Sequence, residues 1–236
     1  TAQKSGSFVL TRNKVVGNCN IGVIGIGPWD HPNALRICEN EISANMAAGL
    51  WVQRGDADIV NNEVCRNSDA GIVAFGNTSV LSIRHNSVRG NQGAGVSIHT
   101  AKKVELLNNC IGLLRRPLPL PSKLAFLMAL HPRLGRASPL NALNEHVCWE
   151  ILRQHVDEEP GPNHGAGVEI AGTPATMRGN AVQHNMEGGV VLCEGTQAEM
   201  HANTLSHNHA CGMTVRGADT KCCTRNNEIS RNKHAG

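Results

Sequence analysis

The side chains able to do chemistry in this chain are numerous but scattered. Asp56 and Asp58 stand two apart, Asp69 and Asp219 stand alone, and Glu169 and Glu199 are isolated. Hydrolysis or elimination at a sugar linkage needs an acid pair, or calcium-binding carboxylates beside a base, gathered on one surface. One repeat after Asp56 and Asp58 the chain carries Asn77 and Thr78, so no second carboxylate joins them. His184 and His207 lie 23 residues apart, and His164 and His209 share another repeated position. A metal held by either pair would need a third ligand. Nine cysteines occur with no Cys-x-x-Cys pair, which argues against zinc and for reduced, mostly buried thiols. No cofactor, no metal and no catalytic residue is assigned.

These side chains are positioned by a repeat. Its phrase is Glu39-Asn40-Glu41-Ile42-Ser43-Ala44-Asn45, followed by Gly49-Leu50-Trp51-Val52. A first asparagine recurs at Asn13, Asn40, Asn62, Asn86, Asn109, Asn180, Asn203 and Asn227, in steps of 22 to 24 residues apart from 27 between Asn13 and Asn40 and 71 between Asn109 and Asn180. A second follows five residues later, at Asn18, Asn45, Asn67, Asn91, Asn185, Asn208 and Asn232. Apolar columns run between them (Val15, Ile42, Val64, Val88), after the glycine (Val23, Leu50, Ile72, Val96) and before the first asparagine (Ile37, Ile59, Ile83, Leu106). Apolar spacing within a phrase is two, the strand period, and no helical period fits.

A period of 22–24 residues with short alternating runs predicts an all-β chain: a right-handed parallel β-helix, one coil per repeat. Asparagine is expected at the corners, in the left-handed conformation that a sharp corner requires and that asparagine tolerates, its amide bonded to backbone or to the asparagine of the next coil. Glycine is expected to serve the other corners through positive φ. The composition agrees: 25 glycines, 3% aromatic residues and no tyrosine suit a core of stacked branched side chains. A net charge of +3 without a basic run argues against a nucleic-acid binder, and no apolar run is long enough to span a membrane. The chain opens at Thr1 without a visible signal sequence, as expected of a fragment or a processed chain.

The repeat divides the chain into 8–112, a helical insertion at 113–162, and a continuation at 163–236, all one domain. Asn163-His164-Gly165-Ala166-Gly167 copies Asn91-Gln92-Gly93-Ala94-Gly95, so the interrupted coil resumes at Asn163. Within the insertion, Leu143, Val147, Ile151 and Leu152 fall on one helical face.

Alternation also sorts the outward side chains. Leu50 and Val52 face in, so Trp51 faces out, in a column with Ile24 and Val73. An apolar outward strip at Ile24, Trp51 and Val73 is a candidate contact surface. Arg84, Arg178 and Arg225 share a second outward column, suited to an acidic or phosphorylated segment.

The phrase Glu39 to Val52 resembles the β-helix repeats of F-box only proteins, the substrate receptors of cullin-RING ubiquitin ligases. The resemblance covers nearly all of 8–112 and 163–236, and bacterial carbohydrate-binding β-helices share a looser form of it. In the insertion, Ser138-Pro139-Leu140-x-x-Leu143-x-x-x-Val147-x-x-x-Ile151-Leu152 looks like the first helix of an F-box, with Asn144 where proline is usual. The resemblance implies a cytoplasmic or nuclear, non-catalytic receptor that binds a protein substrate. The Skp1–cullin adaptor complex would then meet Leu143, Val147, Ile151 and Leu152. A carbohydrate-active or carbohydrate-binding β-helix is the alternative, since pectate-lyase-like and polygalacturonase-like enzymes share the architecture and fold does not choose function.

Overall fold

The structure is a computed structural model that describes residues 8–26, 34–113 and 161–234. The helices expected in the insertion, with Leu143, Val147, Ile151 and Leu152, lie outside the described residues. Within the described residues there are 21 strands and no helix. Every pairing is parallel, and each strand pairs with its copies in the neighbouring coils, from Leu10↔Ile37 to Leu205↔Ile229. This is the stacked-coil solenoid that the repeat predicts.

Each coil has three faces. The first includes Ala34–Cys38, Lys103–Leu107, Pro174–Arg178, Gln197–His201 and Lys221–Arg225. The second is a ladder of three-residue strands from Lys14–Val16 to Glu228–Ser230. The third includes Val23–Ile26, Val96–His99, Val168–Ala171 and Val190–Cys193. Two strands, Leu50–Val60 and Ile72–Arg84, run through the corner from the third face into the first, which joins those faces into one sheet of 13 strands.

The interior is the set of stacked columns. Ile37, Ile59, Ile83, Leu106 and Met177 fill one, Ile42, Val64, Val88, Ile111 and Val182 another, and Leu50, Ile72, Val96, Val168 and Val190 a third, all fully buried. Burying each such branched side chain contributes roughly 1.5–3 kcal/mol, so several coils must stack before the core outweighs the ordering entropy.

The corners are held by two asparagine ladders. Asn40 Nδ2 donates to Asn62 Oδ1, Asn62 to Asn86 and Asn86 to Asn109, at 3.0, 3.0 and 3.1 Å. The second ladder repeats this through Asn45, Asn67 and Asn91, at 2.9 and 2.9 Å. Asn163 takes the next place under Asn91, so the coil that leaves at Gly112 closes 72 residues after Asn91 without a change of register.

The asparagines do not themselves adopt the left-handed conformation expected of them. The residue before each does, except at Asn163. Of 15 non-glycine residues with positive φ among the described residues, 12 immediately precede a ladder asparagine, including Glu39, Ala44, His85 and Ala202. The bend therefore falls one residue early, and the asparagine amide ties it down. Pro162, whose ring fixes φ near −65°, stands in that place at the re-entry before Asn163.

The repeated glycines also work differently from the expectation. Gly49 and Gly71 have no positive φ. A Cβ on Gly71 would lie 2.5 Å from Val88 Cγ1 and 2.8 Å from both Asn91 Nδ2 and the Gly95 carbonyl. These glycines exist for close stacking of one coil on the next. Gly17, Gly90 and Gly179 adopt positive φ before ladder asparagines, and the expectation of positive φ holds at the corner after the third face, where Gly55, Gly76, Gly172, Gly195 and Gly217 make the turns that the sequence places there. There Thr173 and Thr196 add buried hydroxyls, Thr173 Oγ1 accepting from the Ala101 amide at 3.0 Å.

Candidate functional site

The third face carries an outer apolar surface. Ile24, Trp51, Val73, Ser97, Glu169, Val191 and Thr214 are register partners, one per coil, all pointing away from the core. Two residues on, the next outward column runs Ile26, Gln53, Phe75, His99, Ala171 and Cys193. The sequence reading of Ile24, Trp51 and Val73 as one strip needs a correction. Ile24 is 53% exposed, but Val73 is only 8% exposed. It packs with Ala48 and Ala70 in a small apolar cluster outside the solenoid core, and Trp51 leans on that cluster. Alternation tells which way a side chain points, whereas its neighbours on the outer surface decide whether it is covered.

With Val73 covered, the accessible surface is a track of rings. The Trp51 and Phe75 centroids are 6.3 Å apart at 44°, and the Phe75 and His99 centroids are 6.3 Å apart at 54°. The three rings belong to three consecutive coils. Phe75 is 48% exposed and Trp51 and His99 are half-buried, so each ring is held but open. Ser97 Oγ lies 3.1 Å from His99 Nε2, which orients the imidazole. Gln53 and Ser97 supply polar groups beside the rings. Phase alone places Phe75 and His99 outward. The signal missed in the sequence was the second outward column, two residues beyond Trp51.

Several of the carboxylates are placed structurally. Asp58 Oδ1 accepts from Arg84 Nη2 at 2.7 Å, and Asp56 Oδ1 accepts from the Val80 backbone amide at 2.9 Å. Glu63 holds Arg89 at 2.6 Å and Glu41 holds Lys14 at 2.8 Å. The Lys14 ammonium keeps the Glu41 carboxyl below its ordinary range, chiefly through that hydrogen bond. Arg84 therefore drops out of the basic column as an available group, while Arg178 and Arg225 remain exposed in it. His184 and His207 stack with centroids 4.8 Å apart and 19° between planes, the one-coil spacing their repeat position requires. No cluster of three metal-ligating side chains occurs among the described residues.

The cysteines, expected to be mostly buried, are mostly half-exposed. Of the eight described, all are free thiols, only Cys65 is buried, and Cys19 and Cys223 are exposed. Cys222 alone of the half-exposed ones packs against the core, in register with Ala198.

A family model described as "Right handed beta helix region" matches residues 31–111. The chain folds as a right-handed parallel β-helix. Crystal structures of the periplasmic alginate epimerase AlgG are similar to it. A single-substitution form aligns with a TM-score of 0.63 at 13% identity over 97% of this chain and 45% of that one. The enzyme without substitutions aligns with a TM-score of 0.57 at 15% identity over 93% and 43%. The chain thus spans less than half the length of those proteins, and at this identity the likeness is one of fold. No curated protein matches the sequence.

Proposed function

We propose that this β-helix is a binding scaffold and that its third face receives an extended saccharide laid along the solenoid axis over Trp51, Phe75 and His99. The observation that carries the reading is the ring track on three consecutive coils. Coils rise by about 4.8 Å, close to the length of one pyranose unit, so successive sugars meet successive rings. Sugar rings present apolar C–H faces that stack on aromatic faces, and Gln53, Ser97 and His99 offer hydrogen bonds to the hydroxyls. Trp51 rests on Ala48, Ala70 and Val73, so little side-chain entropy remains to be lost on binding. The architectural likeness to a carbohydrate-active epimerase supports the same direction. The role assigned is binding, without a catalytic residue.

A second reading rests on Ile24 and Ile26, 53% and 63% exposed at the N-terminal end of the same face. That apolar end favours a protein substrate, as the resemblance to ubiquitin-ligase receptors implies, with the Skp1–cullin adaptor complex as partner.

Affinity electrophoresis in gels containing soluble neutral and acidic polysaccharides separates the two. The saccharide reading expects retardation by at least one polymer that is lost in Trp51→Ala and Phe75→Ala and kept in Ile26→Ser. Migration unaffected by every polymer, with co-purification of Skp1 and a cullin, would overturn it in favour of the second reading.

A further inference from the structure

In the N-terminal half of the solenoid several outward basic side chains are clamped by carboxylates. Arg84 is held by Asp58, Arg89 by Glu63 and Arg12 by Glu39. On the C-terminal half of the first face this pattern breaks. Arg178, His201 and Arg225 are register partners on three consecutive coils, ending the strands Pro174–Arg178, Gln197–His201 and Lys221–Arg225. Both arginines are exposed, and among the described residues neither has a carboxylate within ion-pair distance. The carboxylate that stands to Arg178 as Asp58 stands to Arg84 is Glu105, and Lys103 holds it at 2.7 Å. The one that stands so to Arg225 is Glu199, which makes no ion pair among the described residues. Between the arginines, His201 Nδ1 is buried without a hydrogen-bond partner among the described residues.

We propose that Arg178, His201 and Arg225 form a binding site for a phosphate monoester, on a face separate from the ring track. Parallel register stacks the three side chains at about 4.8 Å per coil, so two guanidiniums flank one imidazole with no anion of the protein between them. The two guanidiniums lie two coils apart, about 9.6 Å by strand spacing, so a dianion seated over His201 is within reach of both. A guanidinium gives two parallel N–H donors to a phosphate, and two of them approach its oxygens from opposite sides. The imidazole supplies a third contact at the centre. Arg84, in the same column but bonded to Asp58 and separated from Arg178 by Leu107, takes no part.

The test is isothermal titration of the chain with phenyl phosphate at constant ionic strength. Saturable binding is expected, weakened by about tenfold or more in each of Arg178→Gln and Arg225→Gln, since each removes a charge-assisted pair of hydrogen bonds. Arg84→Gln leaves it unchanged, and Glu199→Gln tightens it by removing the one nearby unpaired carboxylate. These positions are exposed apart from half-buried Arg84, and circular dichroism checks that each variant keeps its fold. Absence of saturation in the unsubstituted chain, or equal weakening in Arg84→Gln and Arg178→Gln, would overturn the proposal. Unchanged affinity in Arg178→Gln and Arg225→Gln together would do so as well.

Discussion

Asn91 donates its side-chain amide to Asn163 Oδ1 at 3.0 Å, although 72 residues separate them in the chain. The same Asn91 accepts from the Asn67 backbone amide at 3.1 Å and from Asn67 Nδ2 at 2.9 Å, and donates to the Val64 carbonyl at 3.2 Å. One buried side chain therefore joins three coils, including the coil that the long insertion interrupts.

Replacing Asn91 by alanine leaves the Asn67 donors, the Val64 carbonyl and Asn163 Oδ1 short of partners in the interior. Each group left unsatisfied costs about 1–3 kcal/mol, and the total is expected at about 3–5 kcal/mol. Asn13→Ala, at the solvated start of the other ladder, should cost less than about 1 kcal/mol. Urea unfolding of both variants measures the contrast, and equal losses would contradict a burial-dependent ladder.

Gly71→Ala should destabilise by about 1–3 kcal/mol, because the added methyl meets Val88 and the Gly95 carbonyl at less than contact distance. Combining it with Val88→Ala removes the clash with Val88 and leaves those with Asn91 Nδ2 and the Gly95 carbonyl. A double variant less stable than Val88→Ala alone, in the same unfolding assay, shows that these two groups still resist the methyl.

Ala202 is exposed and sits at φ 53°, where a Cβ costs about 1–2 kcal/mol. Ala202→Gly relieves that strain at the expense of unfolded-state entropy, so a net gain of about 0.5–1 kcal/mol is expected. Differential scanning calorimetry should record a raised Tm. A lowered Tm would mean that the methyl contributes packing that outweighs the strain.

Burial pushes the Cys65 thiol above its ordinary value, with the Glu63 carboxylate adding to the shift. Its thiolate is therefore scarce at pH 8 and becomes abundant only at more alkaline pH. Iodoacetamide should alkylate exposed Cys19 and Cys223 first, and Cys65 on the order of tenfold more slowly, with a Cys65 rate that keeps rising into alkaline pH. Peptide mass spectrometry over a time course reads the order. Modification of Cys65 at the Cys19 rate would contradict it.

Much of the fold was legible because a solenoid writes its geometry as spacing. Asn40 to Asn62 is one coil, Leu50 and Val52 face in, and His184 meets His207, all from position alone. What spacing omits is lateral contact. Val73 points outward yet is covered by its outer neighbours, and Arg84 belongs to an outward column yet is held by Asp58 from the preceding coil. The reason for Gly71 was also hidden, because a missing Cβ matters there through the coil stacked below and not through its own φ. His201 draws meaning only from Arg178 and Arg225 on either side, a relation that appears once the strands are placed in register.

The two asparagine ladders also give the solenoid a sense of direction. From Asn40 to Asn203 and from Asn45 to Asn208, every ladder amide donates one N–H to the asparagine oxygen of the next coil toward the C-terminus and accepts on its own oxygen from the asparagine of the preceding coil. The rows are head-to-tail chains of dipoles, each amide polarising the next. The stack is accordingly polar, like a column of magnets laid end to end. A coil inverted in that column would set oxygen against oxygen at one junction and N–H against N–H at the other.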